Sequence, residues 1–382
     1  MSGPREASAG ERAHMALALR LAAEGRGRTS PNPMVGAVVF DGERVLGEGF
    51  HPRAGEPHAE VFALRAAGER ARGASMAVTL EPCCHTGRTG PCTDAVIAAG
   101  IRRVVVAAVD PNPLVAGEGL RRLEAAGVEV VSGVMAAEAE RLNEAFNRWI
   151  VSRRPFVTLK LATSLDGRIA ARTGSSRWIT GPAARARVHA LRAASDGVLV
   201  GVGTALADDP QLTARDVPGL WDPPARLVVD SQLRLPATAR LLDATLPGPV
   251  IVATAVPPGD PRGHALAAAG AELLHVPGDD GRVDLEGLLV ALGARADKPI
   301  TSLLVEGGGV LAGALVARGL VDALILHKAP FLLGADGVAA VGPLGLDAPG
   351  DAPRLVVAAV ERLGDDVEIV AHRAAGAASR EV

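Results

Sequence analysis

The chain has 382 residues, 48% of them apolar, and a formal net charge of −3, so it is long enough for two domains or more with sizeable cores. The acidic balance and an aromatic content of 2% argue against a general nucleic-acid binder, which needs a basic face and rings on which bases stack. No run of about 18 apolar residues exists to cross a membrane, and the N-terminus lacks a signal-peptide pattern, so a cytoplasmic protein is expected.

With no Tyr, the cores must be built from Val, Leu and Ala, and with Lys confined to Lys160, Lys298 and Lys328, Arg carries nearly all the positive charge. Residues 1–10 read as a disordered tail and 11–23 as a helix. Ser30-Pro31-Asn32-Pro33 breaks the pattern. A strand over 35–40, a turn at Asp41-Gly42 and a return strand over 44–49 form a hairpin. A helix starting near His58 runs to about Ala71. A strand over 75–80 delivers Glu81-Pro82-Cys83, and a helix over 91–99 carries Cys92. Strands over 103–109 and 128–131 flank a helix over 120–126. This alternation predicts an α/β sandwich.

A domain boundary is expected at 142–155, where a helix containing Asn143, Phe146 and Trp149 ends at Arg153-Arg154-Pro155. The expected domains are 11–148 and 155–372. In the second, strands are expected over 156–162, 197–202, 226–230, 250–253, 301–305 and 321–327, with helices over 183–193, 285–292 and 310–318. A strand over 367–371 should close the sheet, and 374–382 reads as another disordered tail. No internal repeat is visible.

The chemistry-bearing stretch is His58-Ala59-Glu60 together with Pro82-Cys83-Cys84 and Cys92. One His and two thiols on separated segments supply three ligands to one metal, and Zn²⁺ takes imidazole and thiolate readily. Three protein ligands leave a fourth position for water, as in catalytic sites. Glu60, two residues past His58, is placed to move protons without being a ligand, the division of labour of zinc deaminases. The plainer alternative is a chance HxE on a helix beside inert buried thiols.

Eight residues separate Cys83 from Cys92, unlike the Pro-Cys-x-x-Cys of polynucleotide deaminases. That segment, with Thr79-Leu80-Glu81 before it, resembles the bifunctional riboflavin-biosynthesis family. Its members fuse a diaminohydroxyphosphoribosylaminopyrimidine deaminase to a 5-amino-6-(5-phosphoribosylamino)uracil reductase. Pro31-Asn32-Pro33-x-Val35-Gly36-Ala37-Val38, Gly49-x-His51 and the Asp110-Pro111-Asn112-Pro113 block extend the resemblance, which runs from about residue 12 to 372. It implies a cytidine-deaminase-like first domain with His58, Cys83 and Cys92 on zinc and Glu60 as proton shuttle. Asn32 either faces the pyrimidine or shapes its loop, and His85 and Arg88 either meet substrate or order theirs. Cys84 stands where the family commonly has Ser, and Glu118 where it commonly has a basic residue.

In the second half, Glu306-Gly307-Gly308-Gly309 ends an apolar strand and opens a helix, a place for phosphate or simply a tight turn. Arg185, Arg192 and Arg215 either clamp a phosphate or sit in solvent. Leu159-Lys160-x-Ala162-x-Ser164-Leu165-Asp166-Gly167, Ser176-x-Trp178-Ile179-Thr180 and Gly203-Thr204-x4-Asp209-Pro210-x-Leu212-Thr213-x-Arg215 resemble that family's reductase domain, of dihydrofolate-reductase-like fold. The resemblance implies an NADPH site at Ala162, Trp178, Thr204, Asp208, Ser231 and along Gly308, Gly309, Val310, Leu311, Ala312, Gly313 and Ala314. It implies substrate contacts at Ser176, Arg192, Leu212, Arg215 and Glu306. Lys160, Ser164 and Asp166 either lie on the hydride path or shape the strand exit.

The expected function is therefore zinc-dependent deamination of a pyrimidine ribotide followed by NADPH-dependent reduction of its ribosyl chain. The alternative is a single-activity deaminase with a non-catalytic second domain. A small-molecule substrate is expected, without nucleic acid or membrane partner, and a homo-oligomer stays open.

Overall fold

A computed structural model describes residues 6–84, 90–113, 115–219 and 221–374. Two compact units divide it, Met1–Arg153 and Arg154–Val382.

Unit 1 runs α1 (Ala9–Ala23), β1 (Gly36–Asp41), β2 (Arg44–Phe50), α2 (Ala59–Ala67), β3 (Ser75–Leu80), α3 (Cys92–Ala98), β4 (Arg103–Ala108), α4 (Glu118–Ala125), β5 (Glu129–Val131), α5 (Ala136–Leu142) and α6 (Glu144–Ser152). Its sheet has the order β2-β1-β3-β4-β5. The β3-β4-β5 ladder is parallel, and β1 is antiparallel to both neighbours. Every residue of β3 is buried, which is why its side chains are apolar except for the small hydroxyls of Ser75 and Thr79.

Helices cover both faces of β1 and β2. An added Cβ at Gly36 would lie 2.0 Å from Ala18 O in α1, and one at Gly49 would lie 2.4 Å from Ala59 O in α2. Gly36 pairs with Phe50 and Gly49 with Ala37, so the two glycines face opposite ways. Missing side chains thus let α2, with His58 at its N-cap, lie flush on the hairpin.

Part of the expected N-terminal tail is ordered. Ser8 caps α1 in a reciprocal capping box with Glu11, so the helix starts before residue 11. Residues 1–5 and 375–382 lie outside the described residues. The helix expected to reach Ala71 stops at Ala67, because Gly68 takes a positive φ of 58° and a 3₁₀ turn follows over Gly68–Ala71.

Unit 2 runs β6 (Phe156–Ser164), β7 (Arg168–Ala170), α7 (Pro182–Ala193), β8 (Gly197–Gly201), α8 (Val202–Asp208), β9 (Ala225–Val229), β10 (Val250–Thr254), α9 (Pro261–Ala268), β11 (Ala271–His275), α10 (Leu285–Gly293), β12 (Ser302–Glu306), α11 (Gly309–Ala317), β13 (Ala323–Ala329), β14 (Val338–Ala339), β15 (Leu355–Leu363) and β16 (Asp366–Arg373). The main sheet has the order β11-β10-β9-β8-β12-β6-β13-β16-β15. It is parallel from β11 to β13 and antiparallel through β16 and β15.

The strand at 367–371 does not close this sheet. It is the centre of β16, and the edge is β15, whose Val356, Val357 and Val360 are about 60% exposed. A strand open on both faces carries no apolar alternation, so periodicity misses it. The buried leucines of α10 pack with Val157, Leu159 and Leu161 of β6 in one core. The opposite face of β6 carries Lys160 and Ala162.

Candidate active sites

In unit 1 three elements converge. His58 sits at the N-cap of α2, Cys83 follows β3, and Cys92 opens α3. Their ligand atoms lie within 4.8 Å of one another. His58 Nδ1 is 3.2 Å from Cys92 Sγ and 3.5 Å from Cys83 Sγ. Imidazole and thiolate ligands arranged tetrahedrally about one zinc would stand about 3.6 Å apart, so this donor set fits the metal. Cys84 is not part of the cluster. It lies on the other side of the chain beside Glu118 and Arg122, and its carbonyl accepts from Arg122 Nη1 at 3.2 Å.

A hydrogen bond from Cys92, helped by His58 and the Cys92 amide, draws Cys83 down to about 4 against its burial. The same bond pushes Cys92 up. Metal binding takes both cysteines as thiolates, so a dication in this cluster would displace their protons. Glu60 is 3% exposed, and its Oε2 is buried without a hydrogen-bond partner. Burial pushes its carboxyl up. An orphaned carboxylate oxygen beside a metal-ligand cluster is placed to meet a water or a substrate proton.

Asn32 is held by a residue that sequence reasoning quoted but left without a role. Its Nδ2 donates to His51 Nε2 at 3.1 Å, and His51 Nδ1 donates to the carbonyl of Pro57, also at 3.1 Å. That network assigns the His51 tautomer and turns Asn32 Oδ1 away from His51. Asn143 fixes the same loop, exchanging two 2.8 Å bonds with the backbone of Met34. Glu81 accepts from the amides of Asp110, Gly117 and Gly119 and so ties the Asp-Pro-Asn-Pro loop to the cysteine segment. His85 and Arg88 lie outside the described residues.

In unit 2 a cleft of about 1260 Å³ opens at the C-terminal ends of the parallel strands. Ala162, Ser176, Trp178, Thr204, Asp208 and Leu212 line it, as do Arg192, Arg215, Ser231 and Glu306. Gly308, Gly309, Val310, Leu311 and Ala314 form its glycine-rich wall. Ala312 and Gly313 do not reach it. Ala312 is fully buried, and a Cβ on Gly313 would press on the Gly342 backbone at 3.0 Å. Gly308 has a φ of 83°, and an added Cβ would stand 2.7 Å from Thr204 Oγ1.

Ser176 Oγ donates to Asp208 at 3.2 Å, and the Arg185 guanidinium stands 4.6 Å from the Trp178 ring centre. Arg215 is exposed, with Nη1 donating to Gln211 at 2.8 Å. Lys160 lines the cleft and is almost fully buried. Burial lowers its pKa, Glu306 raises it, and no hydrogen bond among the described residues contributes. Ser164 and Asp166 bond within the loop that follows β6. Ser164 Oγ donates to Asp166, whose carboxylate accepts from the amides of Leu333 and Gly334, and neither lines the cleft.

Residues 9–108 match the cytidine and deoxycytidylate deaminase zinc-binding region, and residues 155–369 match the RibD C-terminal domain. The riboflavin biosynthesis protein RibD of Escherichia coli is 45% identical over 365 residues, covering 93% of this chain and 97% of that protein. The chain belongs to the RibD family. The RibD protein of Aquifex aeolicus is 43% identical over 93% of this chain and 96% of its own length. Among solved structures, Acinetobacter baumannii RibD superposes with a TM-score of 0.85 at 39% identity, covering 96% of this chain and 99% of that one. A diaminohydroxyphosphoribosylaminopyrimidine deaminase/5-amino-6-(5-phosphoribosylamino)uracil reductase from Thermotoga maritima gives 0.83 at 35%, with the same coverage.

As a RibD protein the chain is a bifunctional enzyme of riboflavin biosynthesis, with a cytidine-deaminase-like domain and a RibD reductase domain. Zinc and NADPH are its cofactors. The single-activity alternative is not favoured. No helix among the described residues is long and apolar enough to cross a membrane.

Proposed function

We propose that His58, Cys83 and Cys92 hold the zinc and that Glu60 is the proton carrier of the deaminase. The observation that carries this is the orphaned, buried Glu60 Oε2 beside three convergent ligand atoms. Bound zinc supplies an acidified water at neutral pH. Glu60 Oε2 passes one proton of the attacking water to the ring nitrogen, then carries the second, from the hydroxyl so formed, to the amine, which leaves as ammonia while the carbonyl forms. Asn32, its amide set by His51, presents Oδ1 to the pyrimidine.

In unit 2 the glycine wall from Gly308 to Leu311 lets the cofactor backbone approach, with Ala162, Trp178, Thr204, Asp208 and Ser231 around it. Bound NADPH supplies a hydride to C1 of the opened ribosyl chain. Lys160 Nζ, the ammonium in the cleft wall, gives a proton to the adjoining nitrogen. Arg215 at the cleft mouth takes the substrate phosphate. Arg192, which gives two N–H groups to Glu306 and one to the Thr213 carbonyl, acts chiefly through Glu306. Ser176 and Leu212 complete the substrate wall.

The substrate is a small ribotide; neither nucleic acid nor membrane is a partner, and the reading places the enzyme in the cytoplasm. Three unpaired cysteines suit a reducing compartment. The test is to incubate the purified, zinc-loaded protein with the diaminopyrimidinone ribotide, with and without NADPH. Mass analysis should show the deaminated ribosyl compound without NADPH and the ribityl compound with it. A reduced product that keeps its ring amine, or no deamination at all, overturns the reading.

A further inference from the structure

Four successive strands, β12, β6, β13 and β16, place ionisable side chains on one face of the unit 2 sheet. Glu306 pairs with Lys160, Ala162 with His327, and His327 with Glu368. Paired residues share a face, and Lys160 lies two residues from Ala162, so all four side chains project the same way. One helix closes both ends of the row. Arg192 of α7 binds Glu306, and Arg187, also of α7, binds Glu368 at 3.1 Å. Glu306 and Lys160 line the cleft; His327 and Glu368 do not, and are 0% and 1% exposed.

His327 Nε2 is 2.9 Å from Glu368 Oε2. A carboxylate only accepts, so Nε2 carries the proton and Nδ1 keeps a lone pair. That Nδ1 is buried with no hydrogen-bond partner. A buried acceptor left unpaired is costly and calls for an explanation. On the neighbouring strand stands an ammonium with donors to give.

We propose that His327 is a positioning residue of the reduction: its Nδ1 accepts a hydrogen bond from Lys160 Nζ through one water. Glu368 fixes the tautomer, and Arg187 fixes Glu368. The inference rests on the reading of Lys160 as proton donor. The groups facing His327 are Lys160, Glu368 and Arg187. Burial first, and then the Lys160 charge, hold the imidazole below its ordinary pKa, which keeps it a neutral acceptor.

Two substitutions separate the nitrogens. His327→Gln keeps a donor near Nε2 for Glu368 and removes the Nδ1 acceptor; His327→Asn keeps an acceptor near Nδ1. The inference expects H327Q to lower reductase kcat about 10-fold, the loss of one oriented bond. The alkaline limb of its kcat–pH profile should move to lower pH, because the lost acceptor had favoured charged Lys160. H327N should stay within about 3-fold of wild type with the limb in place. E368Q, which leaves His327 without a fixed tautomer, should shift the limb as H327Q does. NADPH Kd and deamination should be unchanged throughout.

A wild-type kcat and limb in both H327Q and E368Q overturn the inference. So does an equal fall in H327N and H327Q with the limb unmoved, the mark of a packing role. Lys160→Met separates this from the donor reading. If K160M keeps the wild-type kcat, both fail. If K160M loses it while H327Q and E368Q match wild type, the donor reading stands and the positioning role alone falls.

Discussion

Arg192 grips Glu306 through two parallel bonds, Nε to Oε1 at 2.5 Å and Nη2 to Oε2 at 2.8 Å, while Nη1 donates to the Thr213 carbonyl at 3.0 Å. Both side chains are nearly buried. Burial pushes the Glu306 carboxyl up, but the Arg192 charge and bonds, with help from Lys160, hold it below the ordinary carboxylate range. Breaking such a pair leaves a buried charge uncompensated, so Arg192→Ala should destabilise unit 2 by about 3–5 kcal/mol at neutral pH. Because the folded pKa is depressed, the stabilisation is complete above the unfolded value of about 4.3 and is lost as pH falls through the folded value. Urea midpoints of wild type and R192A should therefore converge on acidification. A gap that stays constant down to pH 3 would contradict the assignment.

Glu60→Gln should retain zinc and lose deamination by about 10²- to 10⁴-fold, the range for a removed general acid–base group. Reduction of the deaminated intermediate should be unaffected. Substantial deamination by a zinc-loaded E60Q protein would show that another group moves the protons.

The neighbouring cysteines separate cleanly. Cys83 belongs to the ligand cluster and Cys84 does not. Cys84→Ser should keep one zinc per chain, and Cys83→Ser should lose most of it. Elemental analysis after gel filtration reads this directly, and the reverse pattern would mean that the two thiols have exchanged roles.

Arg215 stands at the cleft mouth, exposed, its guanidinium bonded to the neutral side chains of Gln211 and Thr213. Bonds to a charged group are worth about 1.5–3 kcal/mol, and exposure cuts that to about 1–2. Arg215→Ala should lower reductase kcat/KM about 5- to 30-fold and leave deamination alone. Lysine should rescue it in part, supplying charge without the fork. Unchanged reductase kinetics, or an equal fall in both activities, would remove Arg215 from phosphate binding.

Much of this protein is set by local sequence. The β3 strand is mostly apolar because both of its faces are covered, and α2 begins where Pro57 and His58 allow. The metal motif was visible because its residues are few, rare in this chain, and fall in short segments next to recognisable strand and helix ends. Alternating helices and strands were enough to identify two α/β domains.

Tertiary structure decided what periodicity cannot carry. The two edge strands of the unit 2 sheet, β11 and β15, are not legible in the sequence; β15, open on both faces, carries no apolar alternation. Ala312 and Gly313 belong to the same helix as the cleft-lining glycines, yet face the core, because a helix turns its residues through every direction. Arg192 and Arg215 look alike in an arginine-rich sequence; the first is committed to Glu306, 114 positions away, and the second is free to meet a ligand at the cleft mouth. The row from Glu306 through Lys160 and His327 to Glu368 exists only in the sheet. Its members are scattered over the chain, and strand register, set by long-range pairing, is what lines them up.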